Sequence, residues 1–150
     1  MALEVLAVVT NVGKQRMARQ LAFGTSFKID VFSAGGDGHD PSNPSVALTP
    51  QPDQTSLTGP LGDERVKKFI DPSQVSFDSD TCPVFDIVVE KTDQPGDYSS
   101  YRLIGRIVYV DPDDPSPPAI GQEFLFAVAN TPLKVKTDLD EFTVRMRIQL

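Results

Sequence analysis

The sequence predicts an α+β fold, with one N-terminal helix packed on a mostly antiparallel β-sheet or small β-sandwich and long loops between the elements. Three observations carry that expectation. Apolar residues recur with period two in several separate stretches, as half-buried strands require. A helical period is convincing only once, near the N-terminus. Thirteen prolines and ten glycines interrupt the rest of the 150 residues, which is punctuation suited to turns and loops.

From Leu3 to Val9 the chain is mostly aliphatic and β-branched, which suits a short buried strand. Thr10 can cap a following helix by accepting a bond from a free backbone N–H, with Asn11 as the competing cap. Met17, Ala18, Leu21 and Ala22 then share one face by i, i+3, i+4 spacing, while Lys14, Arg16 and Arg19 face away. Gly24 stands where a left-handed C-cap belongs, so the helix is expected from Asn11 to Phe23, weakened at its start by Gly13.

The remaining elements read as strands. "FKIDVFSA" alternates Phe27, Ile29 and Val31 against Lys28, Asp30 and Ser33, with Phe32 breaking the pattern, and predicts a half-buried strand. Phe85, Ile87 and Val89 predict a second strand. Phe142, Val144, Met146, Ile148 and Leu150 predict a terminal one, opposite a polar face of Thr143, Arg145, Arg147 and Gln149. "YRLIGRIVYV", Tyr101 to Val110, is apolar on both faces and reads as a central strand, with Gly105 marking a bulge or a close backbone approach. "EFLFAVAN" adds another.

Between them, the segment from Gly35 to Gly62 holds Pro41, Pro44, Pro50, Pro52 and Pro60 and is expected to reach away from the sheet. Gly35, Gly36 and Gly38 at its start are expected to supply positive-φ positions for a sharp turn. Lys91 to Ser100 reads as a hairpin tip, and Asp111 to Gly121 as a stiff acidic turn of polyproline character. No linker divides the chain, so a single domain over 1–150 is expected, with its long loop at about 35–62.

Composition narrows the function. A net charge of −7, with Lys67-Lys68 the only adjacent bases, makes nucleic acid a poor partner. The N-terminal apolar run contains Glu4 and lacks a basic leader, so it reads as a strand and not a signal peptide. No apolar run approaches the roughly 18–20 residues of a spanning helix, so no membrane is expected. The lone Cys82 cannot close an internal disulfide, which suits synthesis in a reducing cytoplasm.

Chemistry-bearing patterns are sparse. The only histidine is His39, which leaves few bases to activate a nucleophile, and Asp78 and Asp80 near Cys82 disfavour a reactive thiolate. The acids of Asp111–Asp114 and Asp138–Glu141 sit in predicted turns and read as solvated surface. No catalytic, cofactor-binding or metal-binding residue is therefore assigned. Asp37, Asp40 and Asn43 offer hard oxygens around a glycine turn, but they depart from the D-x-[DN]-x-[DN]-G calcium loop. A calcium- or carbohydrate-binding β-rich module is the alternative reading. There is no tryptophan for sugar stacking, which leaves Tyr98, Tyr101 and Tyr109.

One ordered set of features points further. An apolar strand precedes a helix opened by Thr10, with Gly13 three residues on, and alanines lead to the closing Gly24. A strand then runs into Ala34-Gly35-Gly36-Asp37-Gly38, and Thr55 and Leu57 precede Arg65. The end, "LFAVANTPLKVKTDLDEFTVRMRIQL", supplies a Phe-Ala strand, an Asn-Pro turn and a last alternating strand. In this order the elements resemble the N-terminal domain of phage tail-collar fibre proteins, which fastens a tail fibre to the baseplate of a contractile-tailed virus. The resemblance covers both ends and leaves roughly Asp71 to Gly121 unmatched.

The resemblance implies a non-enzymatic structural component of a tailed phage virion, assembled in the host cytoplasm, without cofactors. Its partners would be baseplate wedge proteins and a tail fibre protein, with the chain itself a homo-oligomer or present in many copies. Such fibres usually continue into a shaft and receptor-binding tip. A sequence stopping at Leu150 is therefore expected to be a short adaptor, with the last strand and the loops at Gly35–Gly62 and Asp111–Gly121 as contact surfaces.

Overall fold

The computed structural model describes residues 2–59 and 61–150, which leaves Pro60 of the long loop outside the described residues. Strand β1 (Ala2–Val9) leads into helix α1 (Asn11–Phe23), followed by β2 (Ser26–Gly35), the short hairpin β3 (His39–Asp40) and β4 (Asn43–Ala47), and β5 (Val66–Phe69). A 3₁₀ turn at Pro72–Gln74 precedes β6 (Val75–Ser79), β7 (Cys82–Val89), β8 (Gly96–Tyr109), β9 (Glu123–Lys136) and β10 (Phe142–Ile148). The fold is mostly β, with one short helix beside a curled, antiparallel-rich sheet in the order β5-β2-β8-β9-β1-β10-β7-β6.

The curl is seated at β1. Residues Ala2–Ala7 run parallel to β10, while only Val8 and Val9 pair with β9, so the strand leaves one half of the sheet and joins the other. Phe85 and Val144 from one half meet Phe32 and Leu103 from the other in a single buried cluster. Burying such side chains contributes roughly 1.5–3 kcal/mol each and holds the sheet closed.

Helix α1 starts and stops where the sequence places it. The Thr10 hydroxyl accepts the Gly13 N–H at 2.9 Å, which decides the cap against Asn11, and Gly24 closes the helix at φ +81°. Its buried face differs from the expected one. Leu21 is 90% exposed, and Ala18 and Ala22 are also exposed, whereas Gly13 is buried. The cause is a close backbone approach: a Cβ on Gly13 would stand 2.6 Å from the Phe126 carbonyl oxygen. Val12 and Met17 still pack against the core, so only Ala18, Leu21 and Ala22 of the expected face are left outside.

Several strand readings need correction. In β2, a register shift between Ile29 and Val31 turns Asp30 inward, where it accepts two bonds from Arg106, and Ser33 is fully buried. The strand is thus covered on both faces from Asp30 onward. In β10, Phe142, Val144, Met146 and Ile148 face the core as expected, but Leu150 lies past the strand, 56% exposed. Gly105 marks a close approach, of the Phe124 ring. Lys91–Ser100 is only partly a tip, because β8 already begins at Gly96. The expected Asn-Pro turn lies within β9, whose residues 131–133 bulge opposite Ser99.

The Gly35–Gly62 segment is no projecting arm. The β3–β4 hairpin lies against β9, the Asn130 side chain donates to the Leu48 carbonyl, and the Asn11 N–H donates to the Pro52 carbonyl at 2.7 Å. Backbone groups satisfied on the sheet draw the segment back over it. Among the described residues no helix is long and apolar enough to cross a membrane.

Candidate functional site

Two regions collect side chains that the core does not explain. The first is the loop after β2. None of Gly35, Gly36 and Gly38 takes a positive φ, contrary to the expectation for a sharp turn. They are needed instead for closeness. A Cβ on Gly36 would stand 2.7 Å from the Asp97 carbonyl, and Cβ atoms on Gly35 and Gly38 would collide with the carbonyls of Asp63 and Ser99. The packed backbone brings amides to side chains: Gly36 N–H donates to Asp63 at 2.5 Å and Gly38 N–H to the Ser99 hydroxyl at 2.8 Å.

Beneath the loop lies Arg102, only 1% exposed. Its guanidinium donates to Ser33 at 3.1 Å, to Ser100 at 2.8 Å and to the Asp63 carbonyl at 3.0 Å, with the Asp37 carboxylate 3.8 Å away. Burial lowers its pKa, against the opposing pull of Asp37, Glu64 and Asp63; an arginine nonetheless stays cationic. The Asp37 carboxylate accepts from the Ser100 hydroxyl and the Leu61 N–H.

The Asp40 side chain accepts from Ser42 N–H through one carboxylate oxygen, and that of Asn43 accepts from the Ser45 hydroxyl. His39 Nδ1 lies 2.8 Å from the Ser99 hydroxyl, a pairing that the sequence separation of the two residues hides. Ser99 is fully buried beneath the loop, while His39 is half-buried and lines a hollow there. Tyr98 and Tyr101 are also fully buried, and burial first of all raises both hydroxyls to about 12, which leaves Tyr109 alone to face a ligand.

The second region is apolar. Two adjoining hollows, of about 430 and 290 Å³, share Met17 and Leu150. Leu6 and Val8 of β1 wall the first, and Leu21 of α1 with Phe27 and Ile29 of β2 wall the second. No carboxylate side chain lines either hollow. Cations stand nearby, Lys14 at the first hollow and Arg16 over the Phe124 ring at 5.8 Å, whereas Lys28 alternates to the opposite face of β2. Among the described residues Lys14 and Arg16 form no ion pair.

On the other expected contact surfaces, several charged side chains have partners within the chain. On the outer face of β10, Arg145 pairs with Asp86 at 2.9 Å and Glu4 at 3.7 Å, and Arg147 pairs with Asp78. In the acidic turn, Asp114 is not solvated surface, because its side chain is buried against Arg19 and Thr25. Desolvation pushes its carboxyl up, but bonds from Thr25, the Ser116 N–H and Arg19 outweigh that and hold it below the usual range. The buried Cys82 has no disulfide partner.

Compared with protein families, with curated proteins and with solved structures, the chain matches none.

Proposed function

We propose that this chain is a non-enzymatic binding module, an adaptor that attaches tail fibres to the baseplate of a tailed phage particle. The observation that carries the binding part is the groove beside α1, where Leu6, Leu21 and Leu150 stand exposed together around two joined apolar hollows. Apolar side chains held out of the core in contiguity mark surfaces that another protein covers. The virion setting rests on the ordered resemblance described above, from Thr10 and Gly13 through Gly24 and the Ala34–Gly38 turn to the terminal strand.

The partners of such an adaptor are a baseplate wedge protein and a separate fibre chain. Weak contacts suffice there, because many copies act together and the second contact on one particle is effectively intramolecular. Immunogold electron microscopy of lysates containing tailed particles, with antibody against this chain, tests the setting. Label where fibres join the baseplate is expected. Unlabelled particles beside detectable soluble protein would remove the virion reading.

A further inference from the structure

We propose that the apolar groove beside α1 receives a second copy of this chain, which inserts the turn between β9 and β10 headed by Leu139. The inference rests on reading the groove as a docking surface and names its occupant. Leu139 is 80% exposed, an isolated leucine at the head of a turn. Asp138 and Glu141 flank it, and both are exposed and outside any ion pair among the described residues. An apolar knob with acidic shoulders complements an apolar groove bordered by the cations Lys14 and Arg16.

The turn is built to keep its shape. The Asp140 carboxylate accepts from the Thr137 N–H at 2.7 Å and from its hydroxyl at 3.0 Å. Behind it, the ammonium of Lys136, 1% exposed, donates to the carbonyls of Lys91, Asp93 and Thr137. That one cation ties the β7–β8 tip to the β9–β10 turn. A knob held in advance loses less entropy on docking than a flexible one.

Position sets the kind of assembly. The Leu139 turn precedes Phe142 at the start of β10, whereas Leu150 and Val8 of the groove lie at the far ends of β10 and β1, which run parallel. Seven residues of strand, roughly 20 Å, separate the two surfaces. A molecule therefore offers the knob at one end and the groove at the other. Contacts between unlike surfaces of this kind propagate head to tail, into a ring if the rotation closes and into a filament if it does not.

Sedimentation velocity on the whole chain tests this with two variants altered only at exposed positions. Leu139→Lys blocks the knob, and the double variant Lys14→Glu with Leu21→Glu blocks the groove. The wild type is expected to grow in average mass with concentration, and each variant alone to associate at least about tenfold more weakly. Mixing the variants should restore one good contact per pair and give dimers that grow no further. A wild type still monomeric at about 1 mM overturns the proposal. So does a mixture that stays monomeric, and a Leu139→Lys chain that assembles like the wild type shows that another segment or partner fills the groove. Immunogold labelling is independent of all these outcomes, so the virion reading and this one can fail separately.

Discussion

Around Arg102 the guanidinium meets Ser33, Ser100 and the Asp63 carbonyl, and glycines bring the loop backbone down against its neighbours. Beside α1, by contrast, Leu6, Leu21 and Leu150 stand in water around hollows that no side chain of the described residues fills. Many of the loop's charged and polar side chains are engaged with one another, and Asp37, His39 and Asp97 also line a hollow of about 520 Å³. The groove is lined mainly by aliphatic residues that have no polar partner to satisfy. A satisfied polar cluster stabilises a fold and has little left for a ligand, whereas uncovered apolar surface gains free energy only when something arrives.

If the loop is a brace, its centre should be costly to remove. Arg102→Met leaves the Asp37 carboxylate and the Asp63 carbonyl without their cation, and we expect a loss of about 3–5 kcal/mol in urea unfolding. A loss under about 1 kcal/mol would mean that the cluster is not structural.

At the junction of helix and sheet, Gly13→Ala should destabilise by about 1–2 kcal/mol. Added helix propensity, worth about 1 kcal/mol, is outweighed by the collision with the Phe126 carbonyl. A thermal midpoint higher than wild type would show that the helix does not sit that close.

The Arg19–Asp114 contact adds a pH signature. The Asp114 carboxyl is held below its unfolded value, near 3.9, so its stabilisation is fully present above that pH and is lost as pH falls through the folded value. Asp114→Asn should be less stable than wild type at neutral pH, and urea midpoints should show the gap closing in acid. Asp71 and Asp140, held low by N–H bonds from Ser73 and Thr137, steepen the remaining acid limb in both proteins. A gap that stayed constant down to about pH 2 would remove Asp114 as its source.

The smallest effect belongs to the groove. Leu21→Glu should change unfolding free energy by less than about 0.5 kcal/mol, since the side chain is already solvated. A larger loss would mean that Leu21 belongs to the fold and would close the contrast between the two regions.

Local rules carried some of this structure in full. Thr10 or Asn11 at one end and Gly24 at the other place α1 closely, and the alternation from Phe142 to Ile148 gives the inward face of β10. Both depend on neighbours a few positions away, where capping and strand periodicity act. Arg102, a cation inside a run apolar on both faces, was a legible anomaly, but its partners Ser33, Asp37 and Asp63 come from distant segments. The strands β5 and β6, too short or too polar for periodicity to register, are recognisable only once β2 and β7 pair with them.

The sequence was enough to establish a chain rich in strands, with one capped helix near its start. Which face of that helix is buried, whether the proline-rich segment projects or folds back, and where apolar surface is left open were settled by contacts across the chain. The reason is range. Caps and alternation are satisfied within a few residues, but the Gly13–Phe126 approach and the groove around Leu150 need backbones far apart in the chain to meet, and no local pattern encodes that meeting.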